Sequence, residues 1–85
     1  MKPVQEMLSR IRWDPDWAND EFTIGYYDRV ERRIVIVAFK DIRFPQDDHF
    51  SFELVGQSGE AYSIPYHRVR VIYRSGRLIW AREAE

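Results

Sequence analysis

The run Ile64-Pro65-Tyr66-His67-Arg68-Val69-Arg70 opens a tract, residues 61–82, that carries five arginines and one histidine and not one carboxylate. Arginine offers a planar fork of donors that matches two oxygens of a phosphate or carboxylate at once, and imidazole adds a donor whose charge changes near neutral pH. Together they suit an anion held at a defined geometry. Of the thirteen basic residues in the chain eleven are arginine, which strengthens that reading over the looser electrostatic role of lysine. The acids gather elsewhere: Asp14, Asp16, Asp20, Glu21, Asp28 and Glu31 lie in the first third, where Arg29 is the only base between Trp13 and Glu31. With thirteen bases against fourteen acids there is no dominant positive field to hold a long polyanion non-specifically. A local anion site remains, and beside it the simpler alternative of arginines on a solvated strand face.

Catalytic templates find little support. Gly25, Gly56, Gly59 and Gly76 stand apart in strands and turns, so no glycine-rich loop leads into a helix to cradle a phosphate. A zinc site would have to be assembled without cysteine from His49, His67 and carboxylates, and the two histidines lack helical ligand spacing; no metal or other cofactor is expected. Ser51, Ser63 and Ser75 lack the context of a nucleophile elbow. One enzymatic arrangement survives, cleavage or hydrolysis of a phosphodiester with His49 and His67 as acid and base on opposite sides of phosphorus. His49-Phe50-Ser51 has the form of half of a paired His-x-Ser/Thr signature, but His67 is followed by Arg68-Val69, without the hydroxyl the other half requires. A non-catalytic chain is the expected reading.

The elements that must position these residues follow from periodicity. Pro3 suits a first helical position, and Val4, Met7, Leu8 and Ile11 recur at three- and four-residue spacing as one apolar stripe. That helix ends near Arg12 or Trp13, because Asp14 precedes Pro15. Residues 21–28 alternate, with Phe22, Ile24 and Tyr26 on one side; residues 34–38 are apolar on both parities and predict a central strand covered on both faces. Residues 39–49 form a connection, with one helical turn at 40–43. Phe50, Phe52 and Leu54 face one way, and Gly56-Gln57-Ser58-Gly59 turns the chain into the strand 61–64. With Ser75-Gly76 as a turn, Tyr73 pairs with Leu78 and Val71 with Trp80. Val69, Val71, Tyr73, Leu78 and Trp80 then share the core face, and Arg70, Ile72, Arg74, Arg77 and Ile79 the solvated one. Pro65 interrupts the ladder. His67 therefore either sits exposed at a bend or, if alternation already holds, points inward with Val69; Arg68 is exposed in both cases.

Eighty-five residues, 45% hydrophobic, make a single domain, residues 1–85. The expected class is α+β: one N-terminal helix on a mainly antiparallel sheet of about six short strands, which could curl into a small barrel. With no cysteine, no apolar run of membrane length and no signal-peptide core at the start, the composition suits a soluble cytoplasmic domain without membrane association. Oligomeric state has no signature in the sequence.

Leu8-Ser9-Arg10-Ile11-Arg12-Trp13-Asp14-Pro15, Tyr27-Asp28-Arg29, Ile64-Pro65-Tyr66-His67-Arg68-Val69 and Ile79-Trp80 are similar to the RNA cyclic-group-end recognition domain family. Family members stand alone or are fused to RNA-processing and repair proteins, and the role proposed for them is binding RNA 3′ ends that carry a 2′,3′-cyclic phosphate. The resemblance implies Arg68, Arg29 and Arg12 as phosphate donors, His67 as donor to phosphate or ribose, and Tyr27 or Tyr66 as a base platform. Asp28, Trp13 and Asp14 are implied in support: Asp28 as an ion-pair partner that orients Arg29, Asp14 as a helix terminator. Trp13 and Trp80, as large apolar rings, are expected in the core. The remaining alternatives are a small RNA phosphodiesterase or cyclic-phosphate hydrolase that uses His49 and His67, and a protein-interaction domain that uses the partly apolar sheet face or an exposed strand edge.

Overall fold

The computed structural model describes residues 3–56 and 58–83. Its first element, α1 (Val4–Trp13), buries Val4, Met7, Leu8 and Ile11, the stripe read from the sequence. Pro3 stands one place earlier than expected, in the extended conformation at the cap, where its carbonyl accepts from the amides of Glu6 and Met7. The helix stops at Asp14, whose carboxylate accepts from Arg10 Nε at 3.0 Å and from the Asp16 amide at 2.9 Å. The backbone donor first, then Arg10, holds the Asp14 carboxyl below its ordinary range. The chain passes into a 3-10 turn, Pro15–Trp17, that buries Trp17. Trp13 is therefore not in the core: it is 71% exposed. Two residues past Ile11, it falls about 200° round the helix from the buried stripe.

Among the described residues seven strands follow: β1 (Phe22–Asp28), β2 (Arg33–Ala38), β3 (Ile42–Arg43), β4 (Ser51–Val55), β5 (Ala61–Pro65), β6 (Val69–Arg74) and β7 (Arg77–Ala81). They make two antiparallel sheets, β2-β1-β6-β7 and β3-β4-β5, rather than one, and the described residues do not close a barrel. The helical turn in the connection is a 3-10 segment, Phe39–Asp41, that leads directly into β3. The β4–β5 loop is tied by Gly56 N–H to the Glu60 carbonyl; Gln57 of the expected turn lies outside the described residues. No described helix is long and apolar enough to cross a membrane.

The core lies where α1 and the two sheets meet, with Ile24, Phe52, Val69 and Ile72 fully buried. β2 is an edge strand, not a central one, and Ile34 and Ile36 are exposed. Val35 and Val37 pack against the core, while Ile34 and Ile36 belong to an outer face of the first sheet that stays uncovered among the described residues. There Ile34, Ile36 and Val71 close in over Gly25, and even one added carbon at that glycine would meet Val71 Cγ2 at 2.5 Å.

The β6–β7 hairpin keeps part of the expected register. Ser75 and Gly76 both have positive φ, as a two-residue turn between right-twisted strands requires, and Tyr73 pairs with Leu78. An irregularity between Ile72 and Tyr73 then pairs Ile72 with Trp80 and Val71 with Ala81. One extra residue reverses the faces beyond it. Ile72, Val69 and Trp80 are buried, whereas Leu78 is 51% exposed.

Candidate nucleic-acid interface

The segment that carries His67 and Arg68 is the crossing between the two sheets. β5 ends at Pro65, which pairs with Ser51 of β4, and the next amide, Tyr66 N–H, donates to the Phe50 carbonyl. A 3-10 turn, Tyr66–Arg68, then delivers the chain into β6 of the other sheet. The bend expected at Pro65 is thus present, and it leaves His67 exposed and Arg68 half-buried. Tyr66 is half-buried against Phe52, ring centroids 5.7 Å apart, and burial raises its phenol pKa, with Arg12 opposing the shift.

Two arginines clamp this turn. Arg82 Nη2 donates to the carbonyls of Tyr66 at 2.9 Å and Val69 at 2.8 Å, and Arg70 Nη1 donates to the carbonyl of His67 at 2.9 Å. Neither role is visible in the sequence, although one signal was present: arginines in a tract without carboxylates must find other acceptors, and backbone carbonyls are nearest. The solvated face assigned to Arg70, Arg74 and Arg77 is accordingly corrected. Arg74 forms a 2.6 Å ion pair with Asp20 and stands 4.9 Å from the Trp17 ring, Arg70 is tied to the turn, and Arg77 alone of the three is exposed.

Arg82→Ala removes the acceptors' partners and leaves two carbonyls of a half-buried turn to find water, at a cost of about 1–3 kcal/mol. Thermal melts are expected to fall accordingly, with faster amide hydrogen exchange at residues 66–69; an unchanged melt and unchanged exchange would refute the clamp. Arg82→Lys keeps the charge without the fork and should recover only part of the loss.

The remaining candidates sit on neighbouring elements. Because Tyr26 pairs with Val69, the C-terminal end of β1 runs beside the turn. Tyr27 there is half-buried, its ring 6.0 Å from the Arg70 guanidinium. Arg29 is exposed in the β1–β2 turn. Asp28 does not pair with it among the described residues; its Oδ1 accepts from the amides of Val30 and Glu31, at 2.8 and 3.1 Å, and so shapes that turn. Arg12 approaches from the helix side, 4.3 Å above the Phe44 ring and 5.0 Å from Trp13. It lines a hollow of about 460 Å³ with Gln5, Phe44, Asp48, His49 and Tyr66. The structure thus joins Arg12 to Tyr66, and places His67 and Arg68 beside the end of β1. His49 lies in the hollow with Arg12 and His67 does not line it. No three of the described histidines, aspartates and glutamates gather closely enough to hold a metal ion.

Arg68 has no hydrogen bond or ion pair among the described residues, in contrast to Arg10, Arg70, Arg74 and Arg82. A clamped turn that carries an uncommitted guanidinium next to an exposed imidazole can receive an anion with little reorganisation.

The family model described as the MJ1316 RNA cyclic group end recognition domain matches residues 1–82, nearly the whole chain. No solved structure matches it.

Proposed function

The chain belongs to the RNA cyclic group end recognition domain family, and we propose that it is a non-catalytic module that binds RNA 3′ ends bearing a 2′,3′-cyclic phosphate. The observation that carries this reading is the uncommitted Arg68 fork beside exposed His67 on a turn fixed by two other arginines. Arg68 grips the phosphate oxygens in this reading, His67 donates to phosphate or ribose, and Arg29 and Arg12 add charge from the flanks. Tyr27 or Tyr66 gives the terminal base a face, a contact that tolerates any sequence. In this reading the module serves RNA repair or processing in the cytoplasm.

A fluorescently labelled oligonucleotide ending in 2′,3′-cyclic phosphate is expected to bind more tightly than the same oligonucleotide ending in 3′-hydroxyl. Because two or three phosphates are contacted, the logarithm of affinity should fall with the logarithm of salt at a slope of only about −1.5 to −2. Equal affinity for the two ends rejects the proposal. A second reading, docking of a protein partner, draws on the exposed Ile34, Ile36 and Leu78 of the first sheet's outer face. It gains the field if His67→Ala and Arg68→Ala leave every RNA interaction unchanged.

A further inference from the structure

Trp13 contributes little to the fold, since it is 71% exposed, yet it stands at the rim of a hollow of about 620 Å³ that Trp17, Phe39 and Phe44 also line. The neighbouring indole is already occupied. Trp17 is buried, with the Arg10 guanidinium 4.0 Å and that of Arg74 4.9 Å from its ring. The Trp13 ring is open by comparison, with Arg12 at 5.0 Å. That guanidinium is held in place over Phe44 and has no hydrogen bond or ion pair among the described residues, and Lys40 lines the same hollow. The rim also carries two carboxylates: Arg74 pairs with Asp20 at 2.6 Å, and Glu21 has no ion pair among the described residues.

An open aromatic plane beside uncommitted positive charge is the chemistry of a nucleotide: the base stacks, the phosphate meets the cation. Arg12 and Phe44 line both this hollow and the one that contains Tyr66, so the two adjoin and together make a candidate groove, and Tyr66 begins the turn that carries His67 and Arg68. We infer that this groove takes the nucleotide upstream of the RNA end, its base stacked on Trp13 and its phosphate facing Arg12. The inference rests on the RNA-end reading and extends it: recognition covers more than the terminal group, and a longer strand binds better than a single nucleotide.

The experiment compares a mononucleoside 2′,3′-cyclic phosphate, a trinucleotide with the same end and a trinucleotide ending in 3′-hydroxyl, by titration calorimetry. Trp13→Ala is expected to weaken both trinucleotides by about ten-fold and leave the mononucleotide unaffected, and Trp13→Phe to restore most of the loss. If Trp13→Ala binds trinucleotides as the unaltered protein does, or if one and three nucleotides bind equally, the groove is overturned while the end reading stands. If length and Trp13 matter but the cyclic phosphate does not, the groove stands and the end reading falls. Absence of binding to all three overturns both.

Discussion

Arg68→Ala is expected to weaken binding of an oligonucleotide ending in 2′,3′-cyclic phosphate by about 10- to 100-fold, the range for losing charge-assisted hydrogen bonds to an anion. The expected loss depends on what Arg68 does in the free protein. It has no hydrogen bond or ion pair among the described residues, so its loss removes no internal contact of that kind and the thermal midpoint should hardly move. Arg68→Lys keeps the charge and loses the two-pronged geometry, and should recover only part of the affinity. Arg77→Ala is the control. It removes an exposed cation from the hairpin that follows Arg68, at the Ser75-Gly76 end, opposite to the end where the sheets cross. Equal losses from Arg68→Ala and Arg77→Ala would show that general positive charge, not a site, attracts the RNA.

Phe52→Ala carries the largest expected effect on stability. Phe52 is fully buried, and its ring meets Tyr26 of the first sheet, edge on, at 6.4 Å and Tyr66 of the crossing turn at 5.7 Å. It is thus both the joint between the sheets and the floor beneath the turn. Truncation removes a buried ring and leaves a cavity, about 3–5 kcal/mol in comparable cores. Chains of this length have a total stability of roughly 4–13 kcal/mol, so the variant would lose a large part of it. Urea denaturation midpoints measure the loss, and a change below about 1 kcal/mol would show that the two sheets do not depend on this ring. Phe52→Leu retains most of the volume at a cost of about 1 kcal/mol and keeps the variant folded enough for binding measurements. Its affinity should drop with the support of Tyr66, so that stability and recognition change together at one residue.

Much of the local structure was legible because it depends on near neighbours. The spacing of Val4, Met7, Leu8 and Ile11 specifies the α1 stripe, Asp14 before Pro15 ends it, and Pro65 breaks a strand just ahead of His67. Ser75-Gly76 makes its turn for the same local reason. Trp13 and Trp17 show where such reasoning fails. Size alone cannot tell which tryptophan reaches the core; the helix phase does, and it turns Trp13 outward while the 3-10 turn carries Trp17 in. β2 shows a second limit, since a strand apolar on both parities reads as covered whether or not another layer exists to cover it.

By itself, then, the sequence determined the α+β class, the helix and its end, the turn at Pro65 and the segregation of arginines from acids around it, all of which rest on short-range geometry and composition. The tertiary structure alone decided which residues of the β6–β7 hairpin face inward, because the irregularity opposite Ile72 and Tyr73 places one extra residue, Ile79, in β7, so that Leu78 and Trp80 face opposite ways, and only the pairing of the two strands can select it. It also decided how the arginines of one tract divide their work. Arg70 and Arg82 turn back to the carbonyls of residues 66–69, Arg74 finds Asp20 fifty-four positions away, and Arg68 has no side-chain hydrogen bond or ion pair among the described residues. A side chain's availability to a ligand depends on which acceptors the fold brings within about 3 Å, and that is a property of the folded chain, not of the order of its residues.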